Sequence, residues 1–151
     1  MYQLKRTQIV NTNLDNCWRF FSSPHNLSKI TPSSMGFVVK TDIPDTMYEG
    51  LMIEYTVRPL FGIPLNWVTE IKTVRENVCF VDEQRVGPYR IWHHEHHFKD
   101  LGDSVEMTDI VSYQLPFGFL GRIIHGLFVK KKLESIFAYR FEAVEKLFNH
   151  N

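Results

Sequence analysis

Residues 120 to 149, LGRIIHGLFVKKKLESIFAYRFEAVEKLFN, decide the fold, because from Pro116 onward the chain shows no further strand pattern and reads as one long C-terminal helix. The apolar stripe of that helix is not continuous. Leu120, Ile123, Ile124 and Leu127 share one face, whereas Leu133, Phe137, Phe141, Val144 and Phe148 share another, rotated by about a quarter turn at roughly 100° per residue. The helix is therefore bent, or its first turns cover something different from what its second half covers.

Working back from the helix, the sequence alternates. Strand patterns run over 36–43, 50–58, 63–75, 78–86, 88–99 and 104–115, and tight connections such as DLGD (100–103) point to an antiparallel meander. No helix-length crossover separates them, so no neighbouring pair is expected to be parallel. Ahead of the meander, residues 2–11 read as a strand. In NTNLDNCWRFFSSP (11–24) the period changes: Leu14, Cys17, Trp18 and Phe21 fall at i, i+3, i+4 and i+7, with Asn13 as cap, and Pro24 opens a short second helix to about residue 30. The order predicts one α+β domain over residues 1–151: a strand, two short helices, six strands and one long helix. An antiparallel sheet that curls around the long helix buries its stripe, and a pocket remains wherever the sheet does not close onto it.

Composition narrows the functions. Lys plus Arg and Asp plus Glu are both 17, so no charge excess points to nucleic acid or an acidic membrane. The first residues, MYQLKRTQIV, lack the apolar run of a signal peptide, and no eighteen apolar residues follow one another; a soluble, cytoplasmic protein with no membrane span is expected. Cys17 and Cys79 stand in apolar surroundings without CxxC spacing, as reduced buried thiols do.

The stretch GPYRIWHHEHHF (87–98) holds four of the seven histidines. On a strand, Trp92, His94, His96 and Phe98 share one face and His93, Glu95 and His97 the other. The face with the two large aromatics should point inward, leaving His93 and His97 as solvated neighbours of Glu95. On the following strand Val105, Met107, Asp109, Val111, Tyr113 and Leu115 alternate with polar residues, so Asp109 lies on the apolar face. A two-residue turn at Leu101-Gly102 would pair Asp100 with Asp103 and set His94 opposite Asp109, His96 opposite Met107 and Trp92 opposite Val111. A register different by two would give Asp109 to His96 or Trp92 instead. A buried carboxylate needs a partner, and an imidazole supplies one. Such a pair either anchors the hairpin or forms the polar end of an apolar pocket. His94 and His96 at i, i+2 have the spacing of a chelate, but the sequence positions no third ligand, so no metal or other cofactor is expected. There is no GxSxG, and Cys17 lies on the apolar stripe of a helix, which leaves no nucleophile.

The order of elements, together with FFSSPHNLSKITPSSMGF, EGLMIEYTV, GIPLNWVTEI, FVDEQRVGPYRIWHHEHHF and DIVSYQLPFGFLG, resembles the helix-grip, START-like superfamily often called SRPBCC, and within it small bacterial ligand-binding proteins of polyketide cyclase-like type. The resemblance implies a seven-stranded antiparallel sheet wrapped around the C-terminal helix and a cavity for a hydrophobic or amphipathic small molecule. Positions matching its motif are Trp67, Glu70, Asp82, Gln84, Trp92, His94, His96, Phe98, Asp109 and Tyr113. Trp67 and Glu70 have opposite parity on one strand, so a bulge intervenes or one of them faces out.

Three functions compete. The leading one is a non-catalytic binding protein whose pocket is walled by Trp67, Phe80, Trp92, Phe98, Tyr113 and Phe137, with His94, His96, Asp109 and Gln84 as its polar groups. The second is an enzyme of cyclase, dehydratase or isomerase type, with His94 and Asp109 as acid and base and Tyr113 or His96 polarising a carbonyl. The third is a protein-interaction module using Ile123, Ile124 and Phe128 beside the basic run Lys130 to Lys132. Against the third, those residues are expected to cap the cavity, with the lysines as a solvated face.

Overall fold

The computed structural model describes residues 1–59 and 61–150. Its elements are β1 (Tyr2–Val10), α1 (Leu14–Phe21), 3₁₀ turns at Pro24–Ile30 and Ser33–Met35, β2 (Val38–Val39), β3 (Met52–Val57), β4 (Leu65–Arg75), β5 (Cys79–Val86), β6 (Ile91–Asp100) and β7 (Val105–Gln114). The C-terminal helix comprises α2 (Gly118–Ile124), a π-helical turn His125–Val129, α3 (Lys130–Val144) and a second π-helical turn Glu145–Asn149. The strands form one seven-stranded sheet in the order β1-β7-β6-β5-β4-β3-β2, every pair antiparallel. This is the α+β helix-grip architecture.

Local chemistry accounts for the elements. The Asn13 side chain accepts the Asn16 N–H at 2.9 Å and starts α1. That helix buries Cys17, Trp18 and Phe21, and Trp18 sets its edge on Phe80 and Phe98 at 5.9 and 5.3 Å between centroids. In β7, buried Val105, Met107, Asp109, Val111 and Tyr113 alternate with half-exposed neighbours, as the period of two requires. Glu70 faces out to Arg85 and Lys72, while Trp67, Thr69 and Ile71 point in, and β4 carries two register shifts against β5.

Two expectations are corrected. The strand expected over 36–43 shrinks to Val38–Val39, because Gly36 is left-handed (φ 55°) and the chain beyond Lys40 enters the turn-forming run around Asp42, Pro44 and Asp45. The β6–β7 turn is longer than two residues: Leu101 N–H donates to Ser104 O at 2.9 Å, and the Asp100 carboxylate accepts the Gly102 N–H at 2.9 Å. Asp100 therefore pairs with Val105, so His96 stands opposite Asp109, His94 opposite Val111 and Trp92 opposite Tyr113. A slip of two keeps every side chain on its face, and the inward set survives the change of partner.

The broken stripe of the helix has a structural cause. A π-helical turn fits one extra residue without advancing the helix, so positions after it lag by about 100°. Gly121, His125 and Val129 are thereby brought into line with Leu133, Phe137 and Val144, and all six are buried. Leu120, Ile123 and Leu127 end up nearly opposite that line and are 55%, 43% and 60% exposed. The residues expected to cap the cavity thus face outward, Ile124 alone being half-buried. With α-helical pitch throughout, Arg122 would be turned toward the core instead, and burying an unpaired cation is far costlier than exposing leucines.

Candidate functional site

Strands β5, β6 and β7 bring Asp82, His94, His96 and Asp109 together under α3. His94 Nε2 lies 2.9 Å from Asp109 Oδ1, and His96 Nε2 lies 2.8 Å from Asp82 Oδ2. Ionised carboxylates only accept, so both imidazoles donate. His96 Nδ1 sits 3.0 Å from Asp109 Oδ1 but out of line for a hydrogen bond, and His94 Nδ1 is 3.7 Å from Asp82. The two rings are 3.8 Å apart; Phe80 stacks on His96 at 4.0 Å, and Phe137 meets His94 at 5.6 Å. From α3, Arg140 places Nη1 3.8 Å from Asp109 and its guanidinium 5.1 Å over the Phe137 ring, with Nε buried and unpartnered.

The cluster sets two carboxylates against two imidazoles and a guanidinium. Burial works against the Asp109 carboxylate, but the two imidazoles outweigh it and hold the group well below its usual range. Asp82 is lowered in the same way, burial opposing and the two imidazoles and Arg140 prevailing. His96 is raised: burial disfavours its cation, but Asp109 and Asp82 more than compensate. His94 is lowered, by burial first and then by the neighbouring His96. The two carboxylates thus favour a protonated His96, Arg140 adds a fixed positive charge, and burial works against a charged His94.

Beside the cluster lies a cavity of about 200 Å³ between the sheet and the helix. Its walls include Met35, Tyr55, Trp67, Phe80, Trp92, Leu133 and Phe137, and its polar wall is Asp82, His94, His96 and Arg140. A second polar point is Thr69, whose hydroxyl accepts the Trp67 indole N–H at 3.0 Å and lies 3.0 Å from the Tyr55 hydroxyl.

Of the ten residues singled out from the sequence, Trp67, Phe80, Trp92, His94, His96 and Phe137 border this cavity. The other four do not. Asp109 is behind the histidines, toward Arg6 and Gln8. Phe98 packs in the dry core with Trp18 and Phe21. The Tyr113 hydroxyl is 2.8 Å from His125 Nε2. Gln84 brackets the β5–β6 connection, its amide donating to Tyr89 O and accepting Tyr89 N–H. His93 and His97 lie on the outer face, half-buried, each beside Glu95. Sequence reasoning missed Arg140, although a cation three residues after Phe137 flanks the stripe of α3. It also left Asp82 out of the pocket, although Phe80, Asp82 and Gln84 share one parity on β5.

Asp82 supplies the third ligand that the sequence left unplaced: one donor atom from each of Asp82, His94 and His96 lies within 4.8 Å of the others. Holding an ion there requires breaking the Asp82–His96 bond and placing a cation beside Arg140. The donor set fits an imidazole–carboxylate network better than a metal centre.

No family model matches the sequence, and no curated protein does. Solved structures do match in fold. A START superfamily protein from Mycobacterium smegmatis superposes with TM-score 0.70 at 15% identity, over 97% of this chain and 99% of that one. A Streptomyces aromatase/cyclase gives 0.70 at 12% identity, over 95% and 90%. Major latex-like protein 151 of Panax ginseng gives 0.69 at 13% identity, over 97% of each chain. The chain has the START-like, helix-grip fold of these proteins.

Proposed function

We propose that this single domain is a cytoplasmic binding protein for a small, largely apolar molecule carrying an uncharged oxygen, held in the cavity between the sheet and α3. The observation that carries the reading is the cavity's division into an aromatic wall and one polar wall of Asp82, His94, His96 and Arg140. A ligand oxygen there meets the guanidinium of Arg140, whose Nε has no partner of its own. Two buried carboxylates already take the aligned histidine donors of this wall, so an uncharged ligand oxygen disturbs it less than a third carboxylate does. Pockets for drug-sized ligands run from roughly 300 Å³ upward, so the ligand is small or its tail reaches out of the mouth.

Native mass spectrometry of the protein purified from its own host tests this, with a retained small molecule as the expected result. Bare protein in that experiment, together with no thermal shift from a panel of neutral and acidic aromatic compounds, overturns it.

A second reading is an acid–base enzyme. What favours it is that His94, His96 and Asp82 border the cavity instead of being sealed beneath it, and that a protein of this fold is an aromatase/cyclase. His94, backed by Asp109 and disfavoured as a cation by burial, would take a proton, and Arg140 would polarise a carbonyl. Tyr113, turned to His125, takes no part.

A further inference from the structure

The outward face of α2 and the π turn is a second surface with its own chemistry. Phe117, Phe119, Leu120, Leu127 and Phe128 are 77%, 69%, 55%, 60% and 45% exposed, far more apolar surface than a solvated helix face carries. Phe61, 81% exposed in the β3–β4 connection, meets Phe128 at 6.2 Å and extends the patch. The chain is neutral overall, but its charge is unevenly placed. Segments 58–66 and 116–132 hold Arg58, Arg122 and Lys130 to Lys132 and none of the 17 acidic residues. No ion pair among the described residues involves Arg122 or the three lysines. The patch adjoins the cavity wall, since Pro59 and Lys132 both border the cavity.

We propose that this face docks on an anionic bilayer surface, with the phenylalanine tips in the headgroup layer and the lysine run against acidic lipids. An apolar helix face rimmed by cations, with no carboxylate among them, is the composition that lies in a membrane interface. A second copy is a poor occupant: a two-fold contact would set lysines against lysines with no acidic residue in the patch to answer them. No helix among the described residues is long and apolar enough to cross a membrane, so the contact is peripheral. The contact is independent of what, if anything, the cavity binds.

Vesicle flotation tests it, using phosphatidylcholine alone and phosphatidylcholine with phosphatidylglycerol, at low and high salt. The protein should float with the acidic vesicles, weakly with the neutral ones, and lose binding as salt screens the lysines. Replacing Lys130, Lys131 and Lys132 with glutamate should weaken binding at least about tenfold, each basic residue near such a surface contributing about 1 kcal/mol. Phe119→Ser with Phe128→Ser should abolish flotation at low salt while the melting temperature stays near that of the wild type, because both side chains are already exposed. Absence of flotation on acidic vesicles, or flotation unchanged in both variants, overturns the proposal. So does a concentration-dependent dimer in sedimentation without lipid that Phe128→Ser dissolves, which assigns the patch to a second copy.

Discussion

The two halves of the C-terminal helix have similar apolar content and opposite fates. In α3, Leu133, Phe137 and Val144 lie against the sheet, 4% exposed or less, and Arg140 is drawn in with them to complete a buried polar cluster. In α2 and the turn after it, most of the larger apolar side chains point away, and Gly121, His125 and Val129 face the sheet with half-buried Ile124 beside them. Hydrophobicity alone does not separate the halves. What separates them is the angular phase of each stripe relative to the sheet, and that phase is set by one wide turn.

The largest effect that could break this comparison is in the core half. Phe137→Ala should cost about 3–5 kcal/mol in chemical denaturation, because the ring is buried against His94 and Arg140. Leu127→Ala should change stability by no more than about 0.5 kcal/mol. Equal costs would mean that both faces are buried.

A smaller effect is expected from the polar cluster that α3 covers. His94→Ala leaves Asp109 without its aligned donor and should cost about 1–3 kcal/mol. Asp109→Asn should be milder, and it should lower the pKa of His96 by removing a carboxylate that favours the imidazolium. An NMR titration of the His96 ring reads this directly, and an unchanged midpoint would remove Asp109 from the cluster's electrostatics.

The pH profile of the melting temperature sharpens the same point with two arms. Asp109 is lowered, so its contribution is present above its unfolded pKa, about 3.9, and is lost as pH falls through the folded value. His96 is raised, so its contribution is complete below about 6.5 and is lost as pH rises through the folded value. In His96→Gln the alkaline decline should shrink while the acid arm persists.

The smallest effect concerns metal. Zinc added at stoichiometric concentration should raise the melting temperature little, since Asp82 and His96 are already bonded to each other. A rise that vanishes in Asp82→Asn would establish a site.

Much of this was legible in the sequence because alternation is local. The inward face of β6 and β7, the cap of α1, the meander and the extent of the helix all follow from periods of two and 3.6. The site was legible only in part. Which residue faces Asp109 depended on the length of the β6–β7 turn, which the Leu101–Ser104 backbone bond and the Asp100 side chain set together and which composition does not reveal. Asp82 and Arg140 reach the cluster from β5 and α3, and only the packed arrangement shows that they converge. The wide turn at His125–Val129 left a visible trace, the quarter-turn offset of the stripe, but its direction could not be read without knowing which side the sheet takes.

That turn also makes the helix unequally sensitive to changes in its length. One residue of His125–Val129 is surplus to α-helical geometry, so deleting Gly126 relaxes the wide turn to ordinary pitch and leaves the segments on either side facing as they do now. Deleting Ser135, within the regular stretch, has no slack to absorb it and rotates everything beyond by about 100° against what precedes. Either Leu133 or the set of Phe137, Arg140 and Val144 must then leave the sheet. Length variation in this chain is therefore tolerated at the junction between the two faces and excluded from the helix that closes the cavity.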